Sequence, residues 1–215
     1  MSNSLKIHPS AVVDEGAVIG AGTVIWHFSH VCAAAVIGNN CSLGQNVLVA
    51  DNASLGNNVK VQNNVAIYGG ITVEDDVFLG PSCVLTNVTN PRSQVSRKSL
   101  YEKTLIKRGA TIGANATIVC GITLGRYCFI GAGAVVTKDI PDYGLVLSNP
   151  GKLSGYMSRH GHKLTFNESG RATCPESKFV YEKADYQVRC LDLDEEKPLP
   201  DELSVGSETY DSFKN

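Results

Sequence analysis

Aliphatic residues recur along this chain with a period of six. From Ile7 the beat runs through Val13, Ile19, Ile25, Val31, Ile37, Leu43, Val49, Leu55, Val61, Ile67, Val73 and Leu79 to Leu85, and it resumes at Ile106, Ile112, Ile118, Leu124, Ile130 and Val136. Four positions after each aliphatic stands a small or β-branched residue and never a charge, as at Ala11, Thr23, Ala35, Cys41 and Val47. A period of six fits neither a 3.6-residue helix nor the two-residue alternation of a lone strand. It fits short strands joined by tight corners and stacked into a parallel β-helix. One coil cannot bury its apolar edge alone, so stability must come from coil-on-coil contact at a strand spacing of roughly 4.8 Å. Glycine fills the second hexad slot at Gly20, Gly38, Gly44, Gly56, Gly80, Gly113, Gly125 and Gly131, and asparagine pairs recur at 39–40, 57–58 and 63–64. Both residue types accept the positive φ that sharp corners demand.

The beat breaks once. Leu85 and Ile106 are 21 positions apart, which is not a multiple of six, so a loop over about 86–105 must leave the coil. A long insertion in an otherwise strict array points to function. Residues 91–108 carry Arg92, Arg97, Lys98, Lys103, Lys107 and Arg108 against Glu102 alone, a net +5, whereas 192–202 carries a net −5 inside a chain whose formal charge is −2. The basic loop suits an anionic ligand such as a diphosphate, or packing on a neighbouring subunit, and these are compatible. The resulting division is a β-helix over 1–142, an exit turn and short capping helix over 143–165, and a hairpin with a polar, flexible tail over 166–215. Such additions protect the open strand edges of a solenoid end.

Composition adds mainly exclusions. With 43% hydrophobic and 19% charged residues, the chain has an ordinary globular balance. No apolar run is long enough to span a membrane and the N-terminus has no leader pattern, so a cytoplasmic protein with no membrane or nucleic-acid partner is expected. Cys41, Cys83 and Cys128 fall in the small inward slot, where a thiol acts as a modest hydrophobe. Cys174 and Cys190 would supply half of a metal ribbon with no second pair to complete it.

The segments IWHFSHVC, SLGQNV, KVQNNV, EDDVFLGPS, LTNVTNPRS, GATIGANATIVCG and IGAGAVVTKDIP resemble, on top of the hexads, the hexapeptide-repeat acyltransferases over residues 7 to about 165. Within them the likeness is to nucleotide-sugar 3-amino N-acetyltransferases, above all those acting on UDP-2-acetamido-3-amino-2,3-dideoxy-glucuronate in bacterial O-antigen synthesis. A related subgroup takes dTDP-linked 3-amino-3,6-dideoxyhexoses. The resemblance implies an all-β, left-handed parallel β-helix with one extruded loop, a homotrimer, and acetyl-CoA as co-substrate with no metal. The handedness belongs to the resemblance and runs against the usual crossover rule.

The implied chemistry is attack of a sugar amine on a thioester through an oxyanion. Asn87, in the TNV motif where the ladder breaks, is carried over as the residue that holds the amine; its carbonyl can accept a hydrogen bond and aim the lone pair. Arg92, Arg97 and Lys98 are the expected anion contacts, and Asn63 and Glu74 are candidates for sugar hydroxyls. His30, in the stacking column of Leu48 and Ala66, is a candidate substrate contact; His27, in the column of Gln45 and Asn63, reads as corner packing with Trp26 and Phe28. Gly113, Asn115, Gly131 and Ala132 offer backbone edges for the pantetheine arm, and Lys138 a cation for a CoA phosphate. Two other classes fit less well. A γ-type carbonic anhydrase needs three histidines converging on zinc, and His8, His27 and His30 occupy different hexad slots. A structural or ice-binding solenoid needs flat threonine ladders and no loop.

Overall fold

The computed structural model describes residues 4–185, 187–206 and 210–213. Each hexad forms a two- or three-residue strand, and every strand pairs in parallel with strands one coil away, as in Val12↔His30, His30↔Leu48 and Leu48↔Ala66. Three faces result. The first contains Lys6–Ile7, Val24–Ile25, Ser42–Leu43, Lys60–Val61, Phe78–Leu79, Thr111–Ile112 and Phe129–Ile130; the second runs from Val12–Val13 to Val135–Val136; the third from Val18–Ile19 to Thr123–Leu124. The hexad aliphatics point inward, and Ile37, Leu43, Val49, Ile67, Leu79, Ile112 and Ile130 are 0–1% exposed. The small slot fills the corners beneath them, with Ala35, Cys41, Cys83, Ala116 and Cys128 all buried.

Side chains stitch the corners between coils. The first asparagine of each pair accepts a backbone N–H from the coil before it: Ala21 N–H donates to Asn39 Oδ1 at 2.9 Å, Asn39 N–H to Asn57 Oδ1 at 2.9 Å and Gln45 N–H to Asn63 Oδ1 at 2.8 Å. The second asparagine takes positive φ, 57° at Asn40, 53° at Asn58 and 62° at Asn64. At Gly38 a Cβ would stand 2.5 Å from Gly56 O of the next coil, so this slot is glycine because backbones approach there.

The expected capping helix over 143–165 does not form. Gly144–Leu147 continues the first face, pairing Phe129↔Leu145 and Ile130↔Val146, and Lys152–Tyr156 folds back on it antiparallel. A strand satisfies the unpaired edge of the last coil, which a helix cannot do. Beyond it, Arg171–Thr173, Val180–Ala184 and Gln187–Cys190 form a three-stranded antiparallel sheet, one strand more than the expected hairpin. This sheet has its own core of Tyr127, Tyr143, Tyr156, Leu164, Cys174, Tyr181 and Cys190, so Cys174 and Cys190 serve as packing.

The described part of the tail also packs. The acidic stretch folds onto the edge between the third and first faces: Glu196 bridges Arg126 (2.5 Å) and Arg108 (3.6 Å), while Arg108 also grips Asp75 (2.8 Å) and Asp76 (2.6 Å). Leu203 O lies 2.8 Å from His160 Nε2, and the rings of Phe213 and His162 pack edge to face. The rest of the expected flexible tail, 207–209 and 214–215, lies outside the described residues.

Candidate active site

The insertion leaves the solenoid at the edge between the second and third faces. Leu85↔Ile118 and Val73↔Ile106 pair across 33 positions where other coils use 18, so fifteen residues are looped out without disturbing the stack. Both ends are tied to the coil above. Cys120 N–H donates to Thr86 Oγ1 (2.9 Å) and Gly121 N–H to Thr104 Oγ1 (3.2 Å), while Glu102 N–H donates to Asn87 O (3.0 Å) from one end of the loop to the other. The Thr89 hydroxyl donates to the Glu102 carboxylate, closing the neck of the loop. Above the neck, Arg92 and Val95 form a one-residue antiparallel bridge and Lys98–Leu100 a single 3₁₀ turn.

Two hollows meet at this neck. One of about 470 Å³ lies under the loop, between Val84, Asn87, Arg92, Arg97 and Lys98. The other, about 490 Å³, descends the same edge past Gly70, Gly69, Asn52, Asp51 and Cys32. Tyr68, Asn87, Lys98 and Tyr101 line both, which makes them one trough. Asn87 has its backbone carbonyl tied to Glu102, and its side-chain amide has no protein partner among the described residues. Arg92, Arg97 and Lys98 likewise meet no carboxylate among the described residues, and Arg97 Nε is buried without a hydrogen-bond partner. A half-buried amide beneath three cations that meet no carboxylate among the described residues can hold a polar, anionic substrate with one group aimed at Asn87. A larger hollow of about 880 Å³ lies apart from the loop, between the third face and the C-terminal sheet. Its charges are of both signs, and Arg126, Arg189, Glu182 and Asp142 are already paired with one another or with the tail.

The structure sorts the remaining candidates by edge. Lys138 lies on the same edge as Asn87, exposed and near the end of the stack. Asn63, Gly113, Asn115, Gly131 and Ala132 lie on the edge between the first and second faces, where Asn63 Oδ1 is committed to Gln45 and Asn115 takes a corner φ of 56°. Glu74 is removed from the substrate candidates. It sits on the third edge, behind the tail, and its Oε2 accepts Arg108 N–H at 2.8 Å. The hexad count treats all three edges alike, which is why Glu74 entered the set.

His30 stands outward on the second face, as its column predicts, with Nε2 3.1 Å from Asp14 Oδ2. His8 and His27, expected to stand apart, pack as a tilted pair with ring centroids 3.5 Å apart, but His30 does not join them. Instead Asp14, His30 and Cys32 bring their polar atoms within 4.8 Å of one another, and of the three Cys32 lines the lower end of the trough. Burial, then the nearby Asp51 and Asp14 carboxylates, push the Cys32 thiol up and keep it protonated. This cluster and the walls Tyr68 and Tyr101 were missed from sequence. The signal existed, since Asp14 and Cys32 are eighteen positions apart and His30 and Cys32 flank the inward Val31 at the end of its strand.

Comparisons with known proteins bear on the repeat and on the family. A family model described as bacterial transferase hexapeptide (six repeats) matches residues 16–51, 52–87 and 103–138, and one described as hexapeptide repeat of succinyl-transferase matches 35–68. The dTDP-3-amino-3,6-dideoxy-alpha-D-galactopyranose 3-N-acetyltransferase of Aneurinibacillus thermoaerophilus is 45% identical over 173 residues, 80% of this chain and 88% of that protein. The galactoside O-acetyltransferase of Lactococcus lactis subsp. lactis is 29% identical over 43% of this chain and 49% of that protein. Among solved structures, the GDP-perosamine N-acetyltransferase of Caulobacter crescentus is similar at 22% identity and a TM-score of 0.47, over 72% of this chain and 58% of that one. With the six-repeat model over half its length and a relative 45% identical over 80% of it, the chain belongs to the hexapeptide-repeat acetyltransferases.

Proposed function

We propose that this chain transfers the acetyl group of acetyl-CoA to the 3-amino group of a nucleotide-linked amino sugar. The observation that carries this reading is the free amide of Asn87 at the neck of a trough roofed by unpaired cations. The Asn87 carbonyl accepts one N–H of the neutral amine and directs its lone pair at the thioester carbon. The C–N bond forms as the carbonyl electrons move onto oxygen; their return expels the thiolate of CoA, which takes the proton the amine gives up. No protein base is needed, because a sugar amine flanked by electron-withdrawing carbons is less basic than a lysine.

The chain acts as a homotrimer in this reading. The second face carries no Lys, Arg, Asp or Glu at its outward positions Val12, His30, Leu48, Ala66, Val84, Thr117 and Val135, and it is flanked by the two edges that hold the remaining candidates. Turned toward a threefold axis, it sets the Gly113 and Gly131 edge of one copy against the Asn87 and Lys138 edge of the next. Acetyl-CoA then lies in the groove between copies, along Gly113, Asn115, Gly131 and Ala132, with Lys138 at a phosphate. Among the described residues no helix is long and apolar enough to cross a membrane, and a cytoplasmic site of action follows from the use of acetyl-CoA.

Two nucleotide sugars have support. The 45% identical relative is named for a dTDP-3-amino-3,6-dideoxyhexose. The loop's cations beyond those needed for a diphosphate favour a substrate with a further carboxylate, as in UDP-2-acetamido-3-amino-2,3-dideoxy-glucuronate of O-antigen synthesis. Thiol release from acetyl-CoA against each 3-amino sugar tests both; release with neither overturns the reading.

A further inference from the structure

We infer that Asp14, positioned by His30 and assisted by Cys32, reads the base of the nucleotide sugar through the N–H of a pyrimidine imide, as found in uracil and thymine. The inference rests on the function proposed above. Its basis is the polarity of the trough. Asn87 and Cys32 share one cavity but lie on corners three coils apart, roughly 14 Å at the usual strand spacing, a span that a nucleoside-diphosphate sugar covers between its sugar amine and its base. The cations Arg92, Arg97 and Lys98 stand at the loop end. Below Lys98 the wall residues Tyr68, Asn52, Asp51 and Cys32 include no cation, and the Asp14 carboxylate stands within 4.8 Å of the Cys32 thiol at the bottom. Carboxylates repel a phosphate but accept an N–H from a neutral ring, so the diphosphate stays at Lys98 and the base takes the lower end.

The cluster there has the complementary pattern. Asp14 commits Oδ2 to His30 at 3.1 Å and leaves Oδ1 without a protein partner among the described residues. The protonated Cys32 thiol stands beside it as a weak donor. An imide presents one N–H between two carbonyl oxygens: the N–H donates to Asp14, and a flanking oxygen accepts from Cys32. His30 is a positioning residue that holds the carboxylate in place.

Calorimetric titration of the full chain with UDP and dTDP, and with the same nucleotides methylated at the imide nitrogen, tests this without any acetyl transfer. The unmethylated nucleotide should bind the wild-type chain roughly ten- to a hundredfold more tightly, the range for a hydrogen bond to a charged group. In Asp14→Ala that ratio should fall to near one, whereas simple structural damage would weaken both ligands together. A wild-type chain that binds both forms equally, or an Asp14→Ala chain that keeps the ratio, overturns the inference and leaves the acetyltransfer reading standing. Binding that appears only with added Zn²⁺ and vanishes with a chelator would make the cluster a cation site and also overturn it. If no pyrimidine nucleotide binds the wild type, the proposed function fails first.

Discussion

Asn87 can accept a hydrogen bond but cannot take a proton at neutral pH, and this separates it from any residue acting as a base. Asn87→Ala should lower turnover by roughly one to three orders of magnitude, the range for lost positioning. The acidic limb of the pH–rate profile should persist, because it reports ionisation of the substrate amine. His27→Ala and His30→Ala should also keep that limb; a folded histidine variant lacking both activity and the limb would show a histidine base instead. Arg97, with Nε buried and unpartnered, yields a sharper test of the sugar. Arg97→Gln should raise KM for the uronate substrate well above its effect on KM for acetyl-CoA. Equal effects on both would mean a misplaced loop.

At the scale of elements, the loop depends on the coil that receives it. Gly121 has φ +83°, and a Cβ there would stand 2.5 Å from Glu102 Oε2, the carboxylate that binds Thr89 across the neck. Gly121→Ala should therefore cost about 1 kcal/mol or more from backbone strain and push Glu102 off its partner. Activity should fall further than the melting temperature implies, as read by thermal unfolding and turnover on one preparation. The loop was legible in sequence because it broke a strict count, and its charge pointed to an anion. The strands at 144–147 and 152–156 were not legible: the first lies in what reads as an exit turn and the second runs into GYMSRHG, whose apolar face suits a helix locally, and only the open edge at Phe129–Ile130 selects strands.

For the whole molecule, the bland outer second face predicts assembly. Light scattering at micromolar concentration should give three times the 22.9 kDa chain mass; a monomer would sink the composite groove. The thiol-lined interior sets an alkaline limit. Burial pushes the Cys83 thiol from 9.0 up to about 12, so in that interval the unfolded chain loses a proton that the folded chain retains. The associated stability is complete below pH 9 and is lost as pH rises toward 12. The urea midpoint should fall between about pH 8 and about pH 11, and Cys83→Ala should flatten the fall.

Sequence alone determined the solenoid, its inward residues, its corners and the place of its break, because a coil of fixed period maps position directly onto face. Asn87 and the cations Arg92, Arg97 and Lys98 are candidates partly because they lie where that mapping fails, but the role of Asn87 comes from the resemblance of its TNV motif and not from the count. Only the tertiary structure decided what stands beside what. It assigned Glu74 and Arg108 to the edge clasped by the acidic tail, left the Asn87 edge open, and gathered Asp14, His30 and Cys32 from two coils into one cluster. The physical reason is that periodicity fixes the direction of each side chain along the stack, whereas the partner of an outward group depends on which edge the loop, the tail and the last strand cover.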